Sequence, residues 1–139
     1  MTEVDFYVLS AEPPAERDRF ACRLADLAFK RGHGVYIHTA SEDSARGIDE
    51  LLWSFRPQSF VPHGLLGSSE AERVAIGWGE DPGEHHDVMI NLGLSVPDFV
   101  GRFERVAEIV VQDPAIRDPL RDSWKRYKHY GYPITKRDL

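Results

Sequence analysis

Strand-like and helix-like runs alternate along this chain, and that order restricts the fold more than any other feature. Residues 5–9, Asp-Phe-Tyr-Val-Leu, form a nearly continuous apolar run, which suits a strand covered on both faces. Pro13-Pro14 gives a rigid helix entry, Phe20, Leu24, Leu27 and Ala28 recur at helical spacing, and Gly32 and Gly34 end the run. A second strand-like run covers residues 35–39. Ser41 then stands where an N-cap opens a second helix, with Ile48, Leu51 and Leu52 as its apolar stripe. This alternation predicts βαβ units with right-handed crossovers. The expected fold is a three-layer α/β/α domain with a mostly parallel sheet of about five strands.

The remaining strands are expected at residues 73–78, 87–92 and 105–111, with a polar turn at 79–86. Pro97 opens a short helix carrying Phe99, Val100 and Phe103. The last helix starts at Asp113-Pro114 or at Asp118-Pro119 and runs to about Tyr130, before Gly131 and Pro133 stop it. A single domain, residues 1–139, accommodates the whole length. No apolar run approaches the roughly 20 residues of a membrane span. Glu3 and Asp5 stand where a secretory signal carries lysines, so a cytoplasmic protein is expected.

A net charge of −6 conceals an asymmetry. Residues 117–139 hold seven Lys/Arg against three Asp, leaving ten basic and twenty acidic side chains in the first 116. An acidic body opposes broad nucleic-acid binding, which depends on many neutralised phosphates. The basic end suits a small anionic partner.

Catalytic chemistry is sparse. The first strand-to-helix connection, Ser10-Ala11-Glu12-Pro13-Pro14, lacks the glycines a phosphate needs and puts Glu12 where an anion would sit. No cofactor is expected. Cys22 is the single cysteine and falls in the apolar rhythm of a helix, which marks it as a packing residue. His85-His86, beside Glu84 and Asp87, reads as a solvated loop, because adjacent turn residues point apart and offer no paired metal ligands. His63 reads as a loop hydrogen-bonding residue, and the adjacent Asp49 and Glu50 diverge by about 100° on a helix.

Two surfaces stand out instead. Residues 48–63 crowd Leu51, Leu52, Trp53, Phe55, Phe60 and Val61 around Pro57 and Pro62 with little charge, which suits a docking patch. On the last helix, Arg117, Arg121, Lys125 and Lys128 recur at intervals of four, four and three, flanked by Trp124 and Tyr127. Cations beside aromatics suit a short acidic peptide with an apolar end. Two other readings compete: a small α/β nucleotide-binding protein or enzyme with its site in the irregular loop 55–69, and a single-stranded DNA binder using the basic helix.

Several blocks together resemble the chi subunit of bacterial DNA polymerase III. They are Ile48-Asp49-Glu50-Leu51-Leu52-Trp53, the Pro57 to Phe60 spacing, Ser59-Phe60-Val61-Pro62-His63, and Arg126-Tyr127-Lys128 followed by Gly131-Tyr132. Phe6-Tyr7-Val8-Leu9 and the run at 87–92 fit the same pattern. The resemblance implies a non-catalytic accessory protein of the clamp loader, with a nucleotide-binding-like topology and no nucleotide site. It implies binding of the psi subunit, or of a helicase using the same patch, through Trp53, Pro57 and Phe60 with the adjoining Val61. It also implies binding of the C-terminal tail of single-stranded DNA-binding protein through Tyr127 and Lys128, with Val110 as an apolar wall. DNA would be met only indirectly. An arginine expected one turn before Lys128 is replaced by Trp124, so Arg121 or Lys125 would supply that charge.

Overall fold

The computed structural model describes residues 1–55, 61–68, 71 and 73–139. The chain order is β1 (Glu3–Val8), α1 (Pro14–Lys30), β2 (Val35–His38), α2 (Glu42–Ser54), β3 (Gly64–Leu65), β4 (Val74–Gly77), β5 (Val88–Asn91), a 3-10 turn (Val100–Arg102), β6 (Arg105–Val110), α3 (Pro114–Tyr130) and β7 (Ile134–Asp138).

Local chemistry accounts for the helix ends. Pro14 occupies the first turn of α1, where its missing N–H costs nothing, and Gly32 leaves the helix at φ +90°. The Ser41 hydroxyl accepts from the Ser44 amide at the start of α2. For α3 the chain uses the earlier of the two candidate starts. The Asp113 carboxylate accepts from the Ala115 amide at 2.9 Å, and Pro119 lies within the helix. Gly131, at φ +81°, closes α3 in the left-handed region that favours glycine.

Among the described residues the sheet has seven strands in the order β3-β4-β2-β5-β6-β1-β7, every neighbouring pair parallel. The expectation of about five strands misses both edges. β3 is two residues long and shows no periodicity. β7, Ile-Thr-Lys-Arg-Asp, is exposed beyond its first residue and lacks the apolar run of a buried strand. It forms because the outer edge of β1 takes partners on both sides, and the Val4 amide donates to the Pro133 carbonyl while Leu139 donates to Val8. Charged Lys136 and Arg137 then guard the exposed edge.

Strand alternation divides the core. Val35, Ile37, Ile76, Ile90, Ala107 and Ile109 pack under α1 and α2, where Ala21, Cys22 and Ala25 let α1 approach the sheet closely. Phe6, Tyr36, Met89, Val106 and Val110 face the other way, toward Ile116, Leu120 and Tyr127 of α3 and Phe99 and Phe103 near the 3-10 turn.

Each side of the sheet carries a large buried ionisable side chain. Arg17 of α1 is buried and donates to the carbonyls of Ile109, Leu92, Gly93 and Asn91 at 2.7–3.4 Å, filling the crevice beyond the carboxyl ends of β5 and β6. Open parallel sheets place ligands in such crevices. On the α3 side, the fully buried Glu108 accepts from the Tyr127 hydroxyl at 2.5 Å and the Asn91 amide at 2.9 Å through one oxygen, and Oε1 has no partner among the described residues.

Burial pushes the Glu108 carboxyl up to about 7, against the opposing pull of the Tyr127 and Asn91 hydrogen bonds and the Arg17 charge. The folded protein therefore holds a proton that the unfolded chain releases at its ordinary value near 4.5. The resulting stabilisation is complete below that value and lost as pH rises through about 7, amounting to about 3 kcal/mol. Glu108→Gln keeps an acceptor for both donors without the charge. Its unfolding free energy should lack the parent's fall between pH 5 and 8, and denaturant melts showing the same fall in both proteins would assign it to other groups.

Candidate functional site

A groove of about 460 Å³ runs between α3 and the β1–β7 end of the sheet. Its apolar floor is Phe6 and Val8 of β1, Val110 of β6, and Leu120 and Trp124 of α3. Phe6 meets the Trp124 ring edge-on at 5.0 Å, which holds the half-buried indole as a wall. Arg117, Arg121 and Lys125 of α3 and Lys136 of β7 complete the lining with positive charge. Asp118 pairs with both Arg117 and Arg121, at 3.4 and 3.7 Å, and Lys136 pairs with Asp138 at 3.5 Å. These pairs are largely solvent-exposed and hold their cations weakly. Among the described residues Lys125 and Lys128 make no ion pair, and the Lys128 ammonium stands 5.8 Å above the Trp124 ring.

Of the residues expected at an anionic-peptide site, Val110, Arg121, Trp124 and Lys125 line the groove, and Lys128 joins it through Trp124. Tyr127 does not. It is fully buried, its ring edge-on to Phe6 at 6.0 Å and its hydroxyl bonded to Glu108, so it anchors α3 and has no surface to offer a ligand. Sequence reading missed Phe6, Val8 and Lys136 as groove residues. Phe6 and Val8 read as core, and Lys136 counted only toward the basic end. The alternation Val4, Phe6, Val8 was the available signal, because it puts the aromatic on one face of an edge-proximal strand.

The aromatic patch lies on the other side of the sheet, at the end of α2. Trp53 is 58% exposed, and its ring lies 4.7 Å from that of His63. His63 is buried, one ring nitrogen 2.6 Å from the Val61 carbonyl oxygen and the other 3.1 Å from that of Asp49, so it ties the chain after α2 back to the helix. Val61, expected beside Trp53 in the partner patch, is buried among Ile48, Leu52 and their neighbours. Pro57 and Phe60 lie outside the described residues.

Elsewhere, burial pushes the Cys22 thiol up to about 12, which keeps it protonated and unreactive. His85 is half-buried and stacks on Tyr36 at 6.0 Å, so it is less solvated than its loop setting suggests. No group of three or more metal-ligating side chains occurs among the described residues. A larger cavity, about 750 Å³, is lined by His33, Asp87 and Glu104 near the amino ends of β2, β5 and β6. Parallel sheets bind ligands at the opposite ends. The α3 groove, though smaller, combines an apolar floor with a cationic rim. No helix among the described residues is long and apolar enough to cross a membrane.

Comparison with known proteins points one way. Residues 1–135 match the family model described as DNA polymerase III chi subunit, HolC. The chain is 48% identical to the DNA polymerase III subunit chi of Pseudomonas aeruginosa, over all of this chain and 98% of that protein. It is 31% identical to the subunit of that name from Haemophilus influenzae, over 96% and 95% of the two chains, and 27% identical to that of Escherichia coli K12, over 97% of each.

The different settings of Tyr127 and Lys128 make separate demands on stability. Tyr127→Phe strips one donor from a buried carboxyl and should destabilise the fold by about 1–3 kcal/mol. Lys128→Ala, at an exposed position, should stay within about 0.5 kcal/mol of the parent. Equal denaturant midpoints for the two variants would contradict the anchoring role of Tyr127.

Proposed function

This chain belongs to the DNA polymerase III chi subunit family, and we propose that it works there as a non-catalytic bridge. One side joins the clamp loader through the psi subunit, and the other holds the acidic C-terminal tail of single-stranded DNA-binding protein. The observation that carries this reading is the placement of two chemically distinct surfaces on opposite faces of one sheet. Trp53 projects from α2 on one face, and the Phe6–Trp124 groove with its cations opens beside α3 on the other. Neither surface obstructs the other, so both partners can be held at once.

The chemistry of each surface fits its proposed partner. An exposed tryptophan is the side chain most often dominant in a stable protein interface. A cationic groove with an apolar floor suits a tail whose aspartates meet the lysines and arginines while its terminal Pro-Phe packs on Phe6, Val110 and Trp124. Such a contact exchanges quickly and weakens with salt. Joining it to a tighter contact raises the effective concentration of one partner near the other, which offsets the weakness of the single tail interaction. Arg121 and Lys125 both border Trp124 in the groove and supply the charge of the arginine missing at that position. A helicase using the Trp53 patch would occupy it only in turn with psi, since one ring anchors both; a cytoplasmic setting, contact with DNA only through these partners, and the absence of any cofactor or small-molecule substrate belong to the same reading.

Calorimetric titration with a synthetic peptide carrying an aspartate run and ending in Pro-Phe tests the groove. Trp124→Ala should weaken binding at least about 10-fold, and Lys125→Ala a few-fold in a manner that fades as salt rises. Parent-like affinity in both variants would remove the groove from the reading. Trp53→Ala should cut affinity for purified psi by about 2 kcal/mol or more with an unchanged melting temperature. Undiminished psi binding would reassign that patch.

A further inference from the structure

The cations of the groove come from two elements, and only those on α3 follow from the helical spacing of the sequence. Lys136 comes from β7, which pairs in parallel with β1 so that Ile134, Thr135, Lys136, Arg137 and Asp138 stand beside Val4, Asp5, Phe6, Tyr7 and Val8. Successive strand residues face opposite sides of a sheet. Ile134 packs against the α3-side core, so Lys136 two residues on shares that side, directly beside Phe6 in the groove floor. Arg137 faces the other side, where it holds the buried carboxylate of Asp5 at 3.1 Å.

Lys136 is accessible. Its partner among the described residues is Asp138 at 3.5 Å, both side chains more than half exposed, an arrangement of little energetic consequence. The aromatic floor is thus bordered by Arg121 and Lys125 on one wall and by Lys136 on the other.

We infer that Lys136 is a specificity-determining residue of the groove, and that an acidic peptide is gripped between α3 and β7 rather than along α3 alone. This inference rests on the peptide-binding reading above and adds to it the strand that supplies the second wall. Charge complementarity identifies the occupant. Positive groups on both sides of a narrow apolar floor suit an extended peptide, whose successive side chains alternate in direction, with acids reaching each wall and an apolar residue between them. A nucleic-acid strand would need a longer positive track than this groove, set in an otherwise acidic protein, provides.

The test uses the full chain and the same aspartate-run peptide, titrated at low and high salt, with a labelled single-stranded oligonucleotide as a parallel probe. Lys136→Gln should weaken peptide binding roughly 5-fold at low salt, and Lys136→Glu several times more, both losses shrinking as salt is raised. Asp138→Asn removes the competing carboxylate and should tighten binding about 2-fold, an effect that general loss of structure does not produce. If the parent binds the peptide and Lys136→Glu binds it equally well, the β7 wall is overturned while the α3 groove stands. If the parent does not bind the peptide, the peptide-binding reading itself fails. If Lys136→Glu weakens the oligonucleotide and leaves the peptide unaffected, the residue serves nucleic acid and the inference is overturned.

Discussion

A buried carboxyl group on the α3-facing side of the sheet ties the layers of this protein together. Glu108 of β6 reaches Tyr127 of α3 and Asn91 of β5, and the charge of Arg17 on α1 acts on it across the sheet. The apolar contacts that Ile116 and Leu120 of α3 make with the sheet are non-directional and would tolerate small shifts of the helix. The Tyr127 hydrogen bond is directional and sets the helix at one height and rotation. That rotation turns Trp124 toward the groove and Lys125 to its rim. Among the described residues the other Glu108 oxygen, Oε1, has no hydrogen-bond partner.

The second constraint is the all-parallel sheet. Each crossover must return over a face, so helices cover both sides, and the loops and helix ends on each side become independent surfaces. Related folds place a ligand beyond the carboxyl ends of the central strands. Here Arg17 satisfies four carbonyls at that position and fills the space with a side chain. The two surfaces proposed for recognition lie outside that crevice, at the end of α2 and in the gap where α3 covers β6 beside the outer strands β1 and β7.

Much of this was legible in the residues. Ser41, Asp113-Pro114 and Gly131 are helix-end signals whose chemistry is local, so they act as their sequence positions suggest. The apolar runs of β1, β2, β5 and β6 declare strands covered on both faces. The edge strands carry no such signal: β3 is too short for a period to show, and β7 consists mostly of solvent-facing residues that pair because β1 has an unfilled edge. Val61 reads as part of an exposed apolar block, yet the tether from His63 turns it into the core.

The sequence by itself determined the parallel α/β architecture, the helix termini, the concentration of positive charge in residues 117–139, and the spacing that aligns Arg117, Arg121 and Lys125. All of these depend on short-range periodicity or on side chains bonding to their own backbone neighbours. Only the tertiary structure decided that Trp124 forms a groove wall while Tyr127 is sealed inside, and that Lys136 faces them from another element. Residues three apart on a helix differ by about 60° in direction, so which one meets the core depends on how the helix lies on the sheet. That orientation is set by contacts with Phe6, Val110 and Glu108, residues brought to α3 by the fold and distant from Tyr127 along the chain in the case of Phe6.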